Sequence, residues 1–363
     1  MLGGVADFTH QIATEFSRRG ERVHVWGPAD STTVPGSAVV VHPDLGQFRR
    51  ADLRRANDLL DAFPSPRRLL VQWVPHGYGR RAMNVPFCLW LWRRAVAGDS
   101  VELIVHEPFV TFSGSAGQYA LAAVQRMMTL MLLSAARRVW VTTEAWTPLL
   151  EPYLSTRATR IEALPVPSSL EPADLAAVGR VRTRYAPGDT RLVGHFGTHG
   201  ALVTALLDEV IPLIAESHAS ARFLLIGADS EEFKNALVAN HTHLSGRVSA
   251  TGPLHAQDLP AHIAACDVLL QPYPDGVTTR RTSTMAGLFA RVPVVSTYGH
   301  LTEGLWVTDG PVKLAPVTDA RAIAEHVRQL LADPAERRRQ ADAGRAFYDQ
   351  RFDVRHTVSA LAE

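Results

Sequence analysis

The sequence predicts an α/β protein of two doubly wound, Rossmann-like domains. Three observations carry this. Apolar runs rich in Val, Leu and Ile recur at Leu69–Val74, Val101–His106, Leu192–Phe196 and Val268–Gln271. Such continuous runs mark parallel strands covered on both faces. Segments of helical period stand between them, which is the alternation of doubly wound sheets. And 363 residues exceed one ordinary core, while 46% hydrophobic content is enough to fill two.

Composition removes several classes of function. The net charge is +1, so no global field favours nucleic acid. Only Lys234 and Lys313 are lysines; the Arg excess reads as a coding bias. Cys88 and Cys266 lie far apart in apolar contexts, as buried free thiols in a reducing compartment do. The start, MLGGVADFTH, lacks the basic-then-apolar pattern of a secretory signal. The longest apolar stretch, Tyr119–Ala136, is interrupted by Gln125 and Arg126. It therefore reads as a buried helix and not as a membrane span.

In chain order, Gly3-Gly4-Val5 opens a helical period of Phe8, Ile12 and Phe16 that closes at Gly20. A strand, Arg22–Trp26, follows. Paired glycines before a helix let backbone approach a ligand closely; a frayed terminus is the plainer alternative. The strand Leu69–Val74 ends in Pro75-His76-Gly77-Tyr78. Asn84 then leads into an aromatic helix with Trp90, Trp92, Arg93 and Arg94. Aromatic rings with Arg stack on sugars or sit at a lipid headgroup interface, or they simply pack a core. The strand Val101–His106 runs into Glu107-Pro108. A His at the C-terminal end of a parallel strand stands where open sheets bind ligands. It can donate a hydrogen bond or oppose negative charge, with Glu107 orienting a reacting group, or it can be purely structural. Val139–Thr142 closes the first half, and the Pro-rich stretch Leu164–Asp189 reads as the seam.

The second half opens with Leu192–Phe196 and Gly197-Thr198-His199-Gly200. Its two glycines free the backbone at a helix start, which suits phosphate. Phe223–Gly227 with Asp229, and Gly252-Pro253-Leu254, fit strands and loops around a nucleotide base. Val268–Gln271 is followed by a loop, Pro272–Gly276, containing Asp275. Thr278, Thr279, Arg280, Arg281, Thr282 and Ser283 then open an apolar helix. A helix N-terminus beside hydroxyls and two arginines makes an exposed anion site fit for a phosphate or diphosphate. The alternative is a helix cap with solvated arginines. Val294–Thr297 is the next strand, and the Arg-rich tail Ala335–Glu363 reads as helical.

The segment Val268–Thr297, with Val292-Pro293-Val294-Val295, resembles the donor-binding segment of GT-B glycosyltransferases of family 4 (glycosyl transferases group 1). The Gly3-Gly4 loop and the His106-Glu107-Pro108 turn are similar to first-domain elements of that family. The resemblance implies two domains facing across a cleft: 1–168 on the acceptor side, 169–345 for the donor, and 346–363 crossing back to the first. It implies a retaining, metal-independent hexosyltransferase that moves sugar from a UDP-, GDP- or ADP-sugar to an acceptor hydroxyl on a sugar, lipid-linked or small molecule. No cofactor and no nucleic acid are expected. His106 and Glu107 take the catalytic positions. Donor contacts fall on Gly3, Gly4, Gly197, Thr198, Asp275, Gly276, Thr278, Thr279, Arg280, Arg281, Thr282 and Ser283. His76, Tyr78 and Asn84 line the acceptor.

Three departures keep alternatives open. The family's two glutamates would fall near Thr278 and Ala286, and neither is acidic. The strand expected before Gly3 is missing, and no Arg or Lys lies between Gly197 and Asp208. A non-catalytic GT-B partner subunit and a GT-B sugar-nucleotide epimerase are the other readings. The expected location is cytoplasmic, with peripheral contact at an inner membrane face left open.

Overall fold

The computed structural model describes residues 4–31, 38–78, 82–154 and 160–363. They form two compact units. One comprises Gly4–Pro165 together with Thr357–Glu363; the other is Val166–His356. The last helix is thus divided, its residues from Thr357 onward belonging with the N-terminal unit.

The N-terminal unit begins with α1 (Gly4–Arg18), whose Phe8, Ile12 and Phe16 are buried at helical spacing. Two strands, β1 (His24–Pro28) and β2 (Val40–Gly46), pair in parallel as a separate small sheet. Next come α2 (Arg50–Asp61), β3 (Arg68–Trp73), α3 (Val85–Val96), β4 (Ser100–Val105), α4 (Ala116–Ala135), β5 (Arg138–Val141), α5 (Thr147–Leu150) and β6 (Arg160–Ala163). The four later strands form a parallel sheet in the order β3-β4-β5-β6. Its core holds Trp73, Leu103, Val139 and Leu132, all nearly inaccessible. The first expected strand therefore does not share a sheet with the other three. β2 and β6 are additions, and their sequences, VVHPDLG and RIEA, carry too few buried positions to read as strands.

The second unit runs α6 (Leu175–Tyr185), β7 (Arg191–Phe196), α7 (Ala201–Ser217), β8 (Ala221–Ile226), α8 (Ser230–Asn240), β9 (Val248–Ala250), α9 (Leu259–Ala264) and β10 (Val268–Gln271). It continues through α10 (Thr282–Phe289), β11 (Val294–Tyr298), α11 (Gly304–Thr308), β12 (Lys313–Pro316), α12 (Ala320–Ala332) and α13 (Pro334–Arg351) into α14 (Val354–Ala362). Its six strands are all parallel, in the order β12-β11-β10-β7-β8-β9. One hydrophobic cluster centres on Leu269, Met285 and Trp306. A second centres on Val193, Ile211 and Val327. Every residue of β10 is buried, as a strand covered on both faces requires.

The N-terminal ends of the strands are fixed by one carboxylate. Asp267 accepts from the Leu192 N–H (2.8 Å) and from the Arg182 guanidinium (2.6 Å). Arg191 and Arg337 stand 3.8 and 3.7 Å away. One side chain thereby ties β7, β10, α6 and α13. Removing it leaves three guanidinium groups crowded without their counter-charge. Asp267→Ala is expected to cost about 3 kcal/mol, read as a lower melting temperature of the second unit. An unchanged melting curve would show that the cluster is merely solvated.

Candidate functional site

The strand order of the second unit reverses between β7 and β10: the chain leaves β7 towards β8 and β9, then returns to build β10, β11 and β12. In open parallel sheets such a reversal opens a crevice beyond the C-terminal ends of the two strands, because the connecting helices leave in opposite directions. The loops after β7 and β10 are the sequence-predicted Gly197–Gly200 and Pro272–Arg281 segments. The fold brings both to that place.

The loop after β10 is held rigidly. The Tyr273 N–H donates to Thr297 Oγ1 (2.8 Å), whose hydroxyl donates to the Tyr273 carbonyl (2.7 Å). The Val277 N–H donates to the Thr297 carbonyl (2.9 Å). Gly276 has φ +91°, and a Cβ there would stand 2.1 Å from Thr302 Oγ1 and 2.4 Å from the Gly299 nitrogen. Only glycine fits that turn. Glu303 completes the arrangement. Its buried carboxylate accepts from the Thr279 N–H (2.9 Å), from the Thr279 hydroxyl (2.6 Å) and from Trp306 Nε1 (2.9 Å). The loop was expected to be exposed; instead Val277 and Thr278 are fully buried and Thr279 nearly so. Packing against the 297–306 segment is the reason.

An acid in the same loop helps orient its cations. Asp275 pairs with both Arg280 (3.6 Å) and Arg281. The Arg281 guanidinium also lies 4.4 Å from the centre of the Tyr273 ring. Both arginine side chains are about one-fifth exposed, so each guanidinium is fixed yet reachable. Tyr273 hydrogen-bonds Ser283 (2.7 Å) and Thr284 (3.0 Å), and burial pushes its phenol up. Helix α10 begins at Thr282 without a side-chain cap. Its first N–H groups and its dipole therefore remain available to an anion. The Thr278 hydroxyl is buried with no hydrogen-bond partner among the described residues.

At the end of β7, the Gly197 N–H donates to the Ile226 carbonyl (3.0 Å), and Thr198 is exposed. A Cβ on Gly227, where φ is +117°, would stand 2.3 Å from the Gly197 carbonyl oxygen, so the β7 and β8 turns touch. His199 has φ +53°; its Nδ1–H donates to the Ala228 carbonyl (2.9 Å), leaving Nε2 buried and without a hydrogen-bond partner among the described residues. Burial lowers its pKa, so His199 is a neutral acceptor here and not the missing cation.

In the N-terminal unit, His106 follows β4, and its Nε2 is 2.7 Å from Gln72 Oε1 at the end of β3. The Phe8 ring of α1 meets it edge-on at 5.3 Å, placing the Gly4 turn one helical turn away. Glu107 pairs with His76 (3.6 Å) at the surface. Tyr78 lies in an aromatic stack with Trp73 and Phe87 and donates to the Gln72 carbonyl (2.5 Å). Asn84 is buried as the cap of α3, accepting from the Phe87 N–H (3.0 Å). Gly3 lies outside the described residues. Thr282 and Ser283 form the first turn of α10.

Sequence reasoning missed Glu303, Tyr273 and Thr297, because the Glu303–Thr279 and Tyr273–Thr297 contacts each span 24 residues and no local spacing signals them. It also missed His195. This side chain is buried, donates to the Leu270 carbonyl (2.8 Å), and is pushed down to about 3, chiefly by burial.

Residues 191–333 match the family model described as glycosyl transferases group 1. Among solved structures, sucrose-phosphate synthase from Thermosynechococcus elongatus superposes with a TM-score of 0.72 at 18% identity, covering 99% of this chain and 92% of that one. WaaG, a glycosyltransferase involved in lipopolysaccharide biosynthesis, gives 0.71 at 16%, covering 100% and 95%. Anabaena HepE in complex with UDP gives 0.68 at 17%, covering 99% and 95%. The fold is GT-B. No curated protein matches the chain by sequence.

Two expectations follow for this GT-B chain. Glu303→Ala should speed amide exchange across Val277–Arg281 while leaving the sheet strands protected; unchanged exchange there would show that Thr297 and Gly276 hold the loop alone. The second concerns His195. With its folded value near 3 and its unfolded value near 6.5, the unfolded chain takes up a proton that the folded chain refuses. Stability contributed at neutral pH is therefore lost as pH falls below about 6.5, by about 1.4 kcal/mol per unit. His195→Gln should flatten the acid slope of denaturant stability by about one proton; an identical slope would place a charged His195 in the fold.

Proposed function

We propose that the protein is a glycosyltransferase that transfers a sugar from a nucleotide-sugar donor to an acceptor hydroxyl. The observation that carries this reading is the uncapped start of α10 beside Arg280 and Arg281, on a fixed loop at the switch point. It lies within the segment that matches glycosyl transferases group 1. The fold of HepE, a protein solved with UDP and with UDP-glucose, supports it.

The chemistry follows from charge. Breaking a sugar–phosphate bond places negative charge on the departing diphosphate. Guanidinium groups and helix N–H groups that are already oriented stabilise that charge without reorganising. Asp275 keeps both arginines in place and partly neutralised before the donor arrives, and the diphosphate takes over its role. Thr278 adds a hydroxyl from inside the loop. In the N-terminal unit, His106 and Glu107 are proposed at the reacting sugar, and His76, Tyr78 and Asn84 towards the acceptor. Retention of configuration and independence from metal rest on the resemblance to family 4.

A second reading, a partner subunit that binds nucleotide without turnover, is favoured by one observation. The two positions where acids were expected are a buried Thr278 and a buried Ala286. Release of nucleotide from a sugar nucleotide separates the two readings.

Titration calorimetry with UDP, GDP and ADP tests the site. One of these should bind, and Arg280→Ala with Arg281→Ala should weaken it at least about tenfold, the loss of about one charge-assisted bond or more. Equal affinity in the double variant would remove the loop from the site. His106→Ala should lower turnover more than donor affinity; an unchanged rate would return His106 to a structural role with Gln72.

A further inference from the structure

Exposed apolar side chains are unevenly distributed in this chain. Among the described residues, eight of the fifteen large exposed hydrophobics fall between Met83 and Leu130. Those positions lie on α3, on α4 and on the loops that precede them. Helices α3 and α4 are successive crossovers between neighbouring parallel strands, so they cover the same face of the β3–β6 sheet, and they pack against each other.

The outward face of α4 is a continuous stripe. Tyr119, Ala123, Met127, Leu130 and Ser134 recur at three- and four-residue intervals and are all exposed. Phe112 stacks on Tyr119 at 5.7 Å between ring centres. Arg126 projects its guanidinium over Phe112 (3.8 Å) and Phe109 (4.2 Å). On α3, Trp92, Arg93 and Val96 are exposed.

The charge pattern of this surface is one-sided. Residues 76–98 and 108–143 contain no Asp or Glu; of their arginines, Arg94 is buried against Asp61 and Asp99 and Arg138 pairs with Glu162, while Arg93, Arg126 and Arg137 stand at the surface. A helix face made to be wet would carry both signs. A face for a protein partner would have no reason to exclude acids from the adjoining loops as well. Aromatic and aliphatic side chains interleaved with cations, and no anions, suit the boundary between lipid headgroups and acyl chains. No described helix is long and apolar enough to cross a membrane, so such contact lies along the surface.

We propose that the α3–α4 face of the N-terminal unit docks on an anionic lipid membrane surface. Tyr119, Phe112, Met127, Leu130 and Trp92 enter the interface, and Arg93 and Arg126 meet the headgroup phosphates. The proposal does not depend on the nucleotide site, which lies in the other unit.

Co-sedimentation of the full chain with vesicles tests it. Vesicles of phosphatidylglycerol mixed with phosphatidylcholine should pull the protein down, and phosphatidylcholine alone should do so at least about tenfold less well. Raising salt to about 0.5 M should weaken the binding. Met127→Asp with Leu130→Asp should abolish it, and Arg93→Glu should reduce it, with melting temperature and nucleotide affinity unchanged, since all three side chains point outward. No binding to the anionic vesicles would overturn the proposal. So would binding that the variants retain, or a dimer in sedimentation velocity that the same substitutions disperse, because the face would then belong to a second copy.

Discussion

The candidate site depends on the Glu303 carboxylate. It is buried, and it is satisfied by three donors: the Thr279 amide, the Thr279 hydroxyl and the Trp306 indole. A buried carboxylate with fewer partners would be expensive, so the bonds hold the loop with some force. Thr279 is consequently fixed one residue before Arg280 and three before the start of α10. Trp306 is itself sealed in the core with Phe347 and Phe352. The position of the loop after β10 is thus set by hydrophobic packing well behind it. Thr297 and the glycine contact at Gly276 constrain the same loop from β11.

Rigidity of this kind suits the proposed chemistry. Electrostatic stabilisation is effective when dipoles and charges are oriented before the reaction and need not move during it. Asp275 serves that end by pairing with Arg280 and Arg281, which would otherwise repel each other and swing into water. On the other side of the switch point, burial keeps His195 and His199 neutral. The candidate site therefore concentrates positive charge on one loop and presents backbone and neutral groups at the β7 turn.

The four inner strands of the second unit, β7, β8, β10 and β11, were legible in the sequence because they are buried on both faces, whereas the edge strands β9 and β12 are only partly buried and were not. Val268–Gln271 is apolar to its last residue but one and stands where it was expected. The N-terminal unit was less legible. β2 carries Pro43 and Asp44, β6 is mostly accessible, and neither shows the continuous apolar run of an inner strand. The division of the tail at Phe352 and Asp353 was also hidden, because the helical period continues on both sides of it. The loop after β10 was legible as a motif, since hydroxyls, arginines and a helix start are adjacent in sequence. What fixes it was not, because Glu303 and Thr297 reach it only through the fold. The apolar stretch Tyr119–Ala136 was expected to be buried; one face is, through Met128 and Leu132, while the other is open. Composition alone does not distinguish a helix covered on all sides from one covered on half.

Hydrogen–deuterium exchange with and without each of UDP, GDP and ADP tests the central claim most directly, because it reports where a nucleotide binds as well as whether it does. One of the three should slow exchange at Tyr273–Ser283 and at Gly197–Gly200 together, the two loops that flank the reversal of strand order. Protection confined to other parts of the chain, or none with any of the three at saturating concentration, would contradict it.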